Sequence, residues 1–183
     1  RIVTDLLTLS KLDYGRMELR MTRFSVSDLL KKVTNAMKLT AEDSGHMILV
    51  ETEPNLPPMV GDRERIEQVV VNILSNAVKY TPSGGRIRLA AQRAGANHVR
   101  ITVEDNGVGM DSETLAQLRH AIEHNVIDYE KHFGISNVSS RISNPLYGNG
   151  SVRIRSNPGN GTYVTIEFEQ MEEDIDEKNN DRR

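Results

Sequence analysis

Cysteine and tryptophan are both missing from this 183-residue sequence, and only three phenylalanines and five tyrosines are present. Without thiols there is no disulfide scaffold and no thiolate metal site, which fits a reducing compartment. No apolar run approaches the ~18 residues of a membrane-spanning helix, and no signal-peptide pattern is present. Charge of one sign is scarce too: 26 acids stand against 23 bases, a net charge of −3. That excess is local. Residues 170–183 hold Glu172, Glu173, Asp174, Asp176, Glu177 and Asp181 against Lys178, Arg182 and Arg183, leaving a body of 20 acids and 20 bases. A neutral body carries no basic footprint for nucleic acid. The acidic tail reads as a solvated, disordered end, and the remaining length suffices for one well-buried core plus appendages.

What is present is most informative over residues 67–80, which read as a buried helix with polar groups along one line. Ile66, Val69, Val70, Ile73 and Ala77 recur at helical spacing, and Val71, Leu74 and Val78 form a second apolar row. Asn72, Asn76 and Lys79 fall at i, i+4 and i+7 and share one polar stripe. Asparagine is a poor helix former, and a buried amide without a partner costs about 1–3 kcal/mol. Two of them a turn apart either cap neighbouring loops or meet a bound polar ligand, and the pattern favours the ligand.

A second segment follows a strand. Val99, Ile101 and Val103 alternate with Arg100, Thr102 and Glu104, the period of a half-buried strand. Continued by one step, that parity puts Asp105 on the apolar face, where an ionised carboxylate must accept hydrogen bonds or be neutralised. Asn106-Gly107-Val108-Gly109 comes next. It is either an ordinary turn or a place where glycine lets the backbone approach a ligand.

Around these segments the chain alternates helices and strands. Ile2, Leu6, Leu9 and Leu12 in residues 1–21 suit one helix of a bundle, which begins without a cap, as in a fragment of a longer protein. Ser25 suits the N-cap of a helix lined by Val26, Leu29, Leu30, Val33 and Met37 and ended by Gly45. Residues 47–52 read as a strand broken by Pro54, Pro57 and Pro58, and Asp62 caps the long helix that ends near Thr81-Pro82. Ile87, Leu89 and Ala91 alternate on a strand that turns at residues 94–97 into residues 99–104. Residues 111–133 are polar and weakly periodic, as in a short, mobile helix or lid, and residues 134–147 read as helical. Val152 and Ile154, then Val164, Ile166 and Phe168, make a last hairpin. That order predicts an α+β fold with helices on one face of a mixed, mainly antiparallel sheet.

Taken together, the two polar segments resemble the nucleotide-binding boxes of the GHKL ATPase superfamily. Asn72-Ile-Leu-Ser-Asn76-Ala77-Val-Lys79-Tyr80 resembles its N box in the histidine-kinase form, N-x-x-x-N-A-x-K-Y, and residues 105–110 resemble the D-x-G-x-G box that follows. Leu7-Thr-Leu9-Ser-Lys-Leu12-Asp13-Tyr-Gly15 resembles the end of the second dimerisation helix of sensor histidine kinases, and Gly61-Asp62-Arg-Glu-Arg-Ile66-Glu-Gln68 their lead-in to the N box. The back half, Lys131-His132-Phe133-Gly134-Ile135-Ser-Asn137 through Tyr147-Gly148 to Gly161-Thr162, is similar to the short-lid LytS/YesM type. His132 departs from that pattern at its first glycine. It either distorts the phosphate grip, supplies a donor, or is a solvated surface residue.

The resemblance implies a two-layer α/β sandwich (the Bergerat fold) in three parts. Residues 1–23 would be the end of the second dimerisation helix and a linker, 24–169 the ATP-binding catalytic domain, and 170–183 the acidic disordered tail. It implies ATP and Mg²⁺ as cofactors. Asp105 would accept from the adenine amino group, with Gly107, Gly109 and Met110 beside the base. Asn72 would hold Mg²⁺, Asn76 and Lys79 would contact phosphates, and Tyr80 would flank the sugar or base. Gly134, Ile135 and Asn137 would grip phosphates at a helix N-terminus, and Gly161-Thr162 would close the far side. Hydrolysing relatives carry a glutamate base where Asn72 stands; an amide takes no proton, which favours transfer to an external histidine. None of His46, His98, His120, His124 and His132 precedes Asp or Glu, so that acceptor is not in this chain. The implied setting is cytoplasmic, in a homodimer with its own dimerisation domain and a response regulator, touching membrane only through segments elsewhere. The alternatives are a degenerate kinase that binds nucleotide or a partner and transfers nothing, and a hydrolysing superfamily member.

Overall fold

A computed structural model of the chain describes residues 20–124 and 150–169. Residues 1–19 of the expected dimerisation helix, the region 125–149 with His132, Gly134, Ile135 and Asn137, and the tail 170–183 lie outside the described residues.

The first described helix, α1 (Val26–Asp43), starts where Ser25 takes the Asp28 N–H at 3.2 Å. It ends in a left-handed Gly45: the Gly45 N–H reaches Glu42 O at 2.9 Å and the His46 N–H reaches Ala41 O at 2.8 Å. These two bonds form a Schellman closure, which needs a residue free to adopt positive φ. The second helix, α2 (Arg63–Tyr80), is capped by Asp62, which accepts from Arg65 N at 3.1 Å, and it stops at Thr81 before Pro82. Its Ile66, Val69, Val70, Ile73, Leu74, Ala77 and Val78 are buried; Val71 of the second row is only half-buried.

The strands β2 (Met47–Thr52), β4 (Arg86–Arg93), β5 (His98–Asp105), β6 (Ser151–Ser156) and β7 (Thr162–Glu169) form a sheet in the order β2-β4-β5-β7-β6. Only β2 and β4 run parallel; the other pairs are antiparallel. Apolar residues align across it, Leu89 with Val103 with Val164, and Ala91 with Ile101 with Ile166. This row packs under α1 and α2, with Phe168, Leu29, Ile73 and Ile101 all buried in one cluster. The mixed, mainly antiparallel sheet beneath helices is the architecture that the sequence predicts.

One element differs from the sequence reading. A small antiparallel sheet joins β1 (Met21–Phe24) to β3 (Met59–Asp62). Met21 is therefore extended and paired with Asp62 rather than helical, and the pairing begins inside the stretch expected to be a linker. Burial of Phe24 and Met59 holds it, a contact between segments too distant in sequence for periodicity to reveal. The third described helix, α3 (Ser112–Glu123), is the short helix expected in residues 111–133, of which 125–133 lie outside the described residues. Asp111 caps it, Leu115, Leu118 and Ala121 are buried, and Arg119 Nη2 donates to Ile154 O at 3.0 Å.

Candidate nucleotide site

The site forms where the end of α2, the turn after β5 and the β6–β7 hairpin converge. β5 carries its apolar parity to its last residue: Asp105 lies in register with Ile87 on one side and Thr162 on the other. Its Oδ1 accepts from the Gly107 N–H at 2.9 Å and the Thr162 N–H at 3.2 Å. Burial pushes the carboxyl above the usual carboxylate range, Glu104 adds to the rise, and the two N–H groups pull it back. Both described hydrogen bonds use Oδ1, which leaves Oδ2 as the acceptor a ligand donor can meet.

Glycine is required here by close packing of the protein's own backbone. A Cβ on Gly107 would come within 2.5 Å of Tyr80 O and 2.7 Å of Asp105 Oδ1. A Cβ on Gly161, whose φ is +76°, would fall 1.9 Å from Asp105 O. The Val108 N–H caps Tyr80 O at 3.2 Å, and Gly159 N–H returns to Val108 O at 2.8 Å. The turn is thus fastened to α2 and to the hairpin at once.

Ser156 is the hub that the sequence did not disclose. Its Oγ accepts from Met110 N at 2.9 Å, donates to Gly161 O at 2.8 Å and lies 3.1 Å from Thr162 Oγ1. A serine closing a strand reads as a turn residue, and its tie to Met110 spans 46 positions. The role of Thr162 toward Asp105 was equally hidden, because it uses a main-chain N–H.

Along α2, Asn72 and Asn76 are half-buried, and Lys79 and Tyr80 are exposed. The Lys79 ammonium lies 4.9 Å from the Tyr80 ring centroid. Gln68 Nε2 donates to Asn72 Oδ1 at 3.0 Å. Glu67 leaves the stripe and pairs with Lys32 of α1 at 2.7 Å. The structure therefore gathers Tyr80, Asp105, Gly107, Gly109, Met110, Gly161 and Thr162 around one turn, with Asn72, Asn76 and Lys79 along the adjoining helix; Gly134, Ile135 and Asn137 are outside the described residues.

The family model for histidine kinase-, DNA gyrase B- and HSP90-like ATPases matches residues 61–172, which include all of these described residues. The chain belongs to this ATPase family. It is 30% identical over 174 residues to the autoinducer 2 sensor kinase/phosphatase LuxQ of Vibrio harveyi, covering 90% of this chain and 20% of LuxQ. Full-length ShkA, solved in complex with AMPPNP, matches with a TM-score of 0.74 at 26% identity, over 93% of this chain and 36% of that one. Histidine kinase ThkA, solved with response regulator protein TrrA, matches with a TM-score of 0.70 at 20% identity, over 92% and 48%. Within the ATPase family the chain is the ATP-binding catalytic domain of a sensor histidine kinase. It spans a fifth of the length of LuxQ.

Proposed function

We propose that this domain grips Mg·ATP and presents its γ-phosphate to a histidine on a dimerisation helix, in a homodimeric sensor kinase that signals to a response regulator. Residues 1–20 would be the end of the dimerisation helix and its linker, and the catalytic domain would run from β1 at Met21 to 169. The 170–183 tail is assigned no role. The protein would work on the cytosolic side, with any membrane segment elsewhere.

One observation carries the nucleotide reading: a carboxyl fixed at the end of an apolar row, with one oxygen held by Gly107 and Thr162 and the other left to accept. That arrangement suits an exocyclic amino group on a flat base, and disfavours an oxygen in its place because two acceptors repel. Asn76 and the long, exposed Lys79 then suit the phosphates, with Tyr80, Gly109 and Met110 flanking the base and sugar. Gly134, Ile135 and Asn137 are assigned to the phosphates from the sequence resemblance.

Asn72 offers a neutral oxygen, the donor type of a hard cation. Among the described residues no three His, Cys, Asp or Glu side chains cluster to hold a metal. A cation shared between one amide, the nucleotide phosphates and water, as Mg²⁺ prefers, fits such a site. When bound, Mg²⁺ neutralises charge on the phosphates. The chain's own part is positioning, which dominates phosphoryl transfer.

Transfer is favoured over hydrolysis by the same residues. Asn72 cannot take a proton from water, and Glu67 is engaged by Lys32. His46 is buried with Nε2 at 3.1 Å from Val78 O, and His120 and His124 stack on each other. We expect the 183-residue chain with γ-labelled ATP and Mg²⁺ to acquire no acid-labile label and to release negligible phosphate. A protein extended upstream through a histidine-bearing helix is expected to acquire the label. Label on the chain alone would overturn the reading. An extended protein that binds ATP but stays unlabelled would instead favour the degenerate kinase, with His132→Gly the first reversion to test.

A further inference from the structure

The polar stripe of α2 begins one turn before Asn72. Gln68, Asn72 and Asn76 stand at i, i+4 and i+8, all half-buried on the same line. The Gln68 amide donates from Nε2 to Asn72 Oδ1 at 3.0 Å, while its neighbour Glu67 turns to Lys32.

An asparagine amide has two unlike edges. One offers oxygen lone pairs and the other two N–H donors, and half a turn about its last torsion exchanges them. A hard divalent cation takes only the oxygen, and a phosphate oxygen takes only N–H. The edge that Asn72 presents therefore decides which of the two it can serve. We propose that Gln68 is a positioning residue that holds Asn72 with its oxygen edge available to the cation. Its N–H engages one lone pair of Oδ1 and leaves the second for Mg²⁺. A rotated Asn72 amide would keep the bond only if the Gln68 amide rotated with it, so the contact couples the two amides and stops Asn72 from turning alone. Gln68 is then to Asn72 what outer-shell partners are to metal-ligating side chains elsewhere, groups whose loss costs 10–100-fold in metal affinity. The inference rests on the assignment of Asn72 to Mg²⁺.

Calorimetric titration of ADP into the 183-residue chain, with and without Mg²⁺, reads the affinity that the metal adds. Gln68→Met keeps side-chain length and helix propensity but removes the donor. Its metal-dependent gain is expected to fall on the order of tenfold, or to nothing, with metal-free ADP affinity and Tm as in the wild type. Gln68→Ala removes the same donor and should lose the same gain, which covers the case of a methionine that packs badly. In an Asn72→Ala background, Gln68→Met should add no further loss. An unchanged gain in either folded variant overturns the inference, and so does an equal loss with and without metal, which is what a packing role gives. A wild-type chain that binds ADP with no metal-dependent gain defeats the Asn72 assignment itself, and this inference with it.

Discussion

At Asp105, burial and hydrogen bonding pull one carboxyl in opposite directions, and burial wins. A carboxyl whose folded pKa is raised binds more protons in the native state than in the unfolded chain. Between the ordinary carboxylate value of ~4 and the raised folded value, stability therefore falls as pH rises, and it levels off above. Asp105→Asn keeps an oxygen for the Gly107 and Thr162 N–H groups but removes the charge. The nucleotide-free variant is expected to be more stable than the wild type at pH 7, with the gap closing as pH falls to about 4. Thermal unfolding at the two pH values measures this, and a gap that ignores pH would contradict it. Asp105 was legible in the sequence because strand parity is strict: one more step from Val103 fixes the face. Gln68 was not, since a glutamine at the start of a helix matches any solvated position.

The turn that joins α2, β5 and the hairpin depends on where backbone meets backbone. Gly161 and Gly84 make a matched pair, with φ of +76° and +81°. A Cβ on Gly84 meets nothing within 4 Å, whereas one on Gly161 collides with Asp105 O. Gly84→Ala is expected to cost only the conformational strain, about 1 kcal/mol, and to leave ADP affinity unchanged. Gly161→Ala is expected to cost more in stability and to weaken ADP by displacing Asp105. Chemical denaturation and calorimetry on both variants separate strain from collision. Equal affinities for the two would mean that the hairpin does not set the position of Asp105. Caps and closures at this scale read well from sequence, as Ser25, Asp62 and Gly45 did, because each acts on neighbours in the chain. The β1–β3 pairing and the Ser156 hub did not, because their partners are far away and involve main-chain atoms. α3 was legible as a short helix but its docking was not, because its three buried residues depend on a sheet edge that receives them.

For the whole molecule, the core and the site are one construction. The apolar rows that bury α2 on the sheet are the rows that end at Tyr80 and Asp105, so packing sets the distance between the two boxes. Stability and binding are therefore linked by mass action: ADP at 100 times its Kd should stabilise the domain by about 2.7 kcal/mol. Both boxes were readable because each combines a local period with residues that break it. The fold class followed from the order of periods alone, whereas the sheet order β2-β4-β5-β7-β6 rests on pairings between distant strands. The most direct measurement is calorimetric titration of ADP into the wild-type chain and into Asp105→Asn. Nucleotide gripped through Asp105 predicts binding to the wild type and at least a tenfold loss in the variant, the ~1.5–3 kcal/mol of a hydrogen bond to a charged group. Equal affinity in a folded Asp105→Asn, or no binding by the folded wild type, would contradict it.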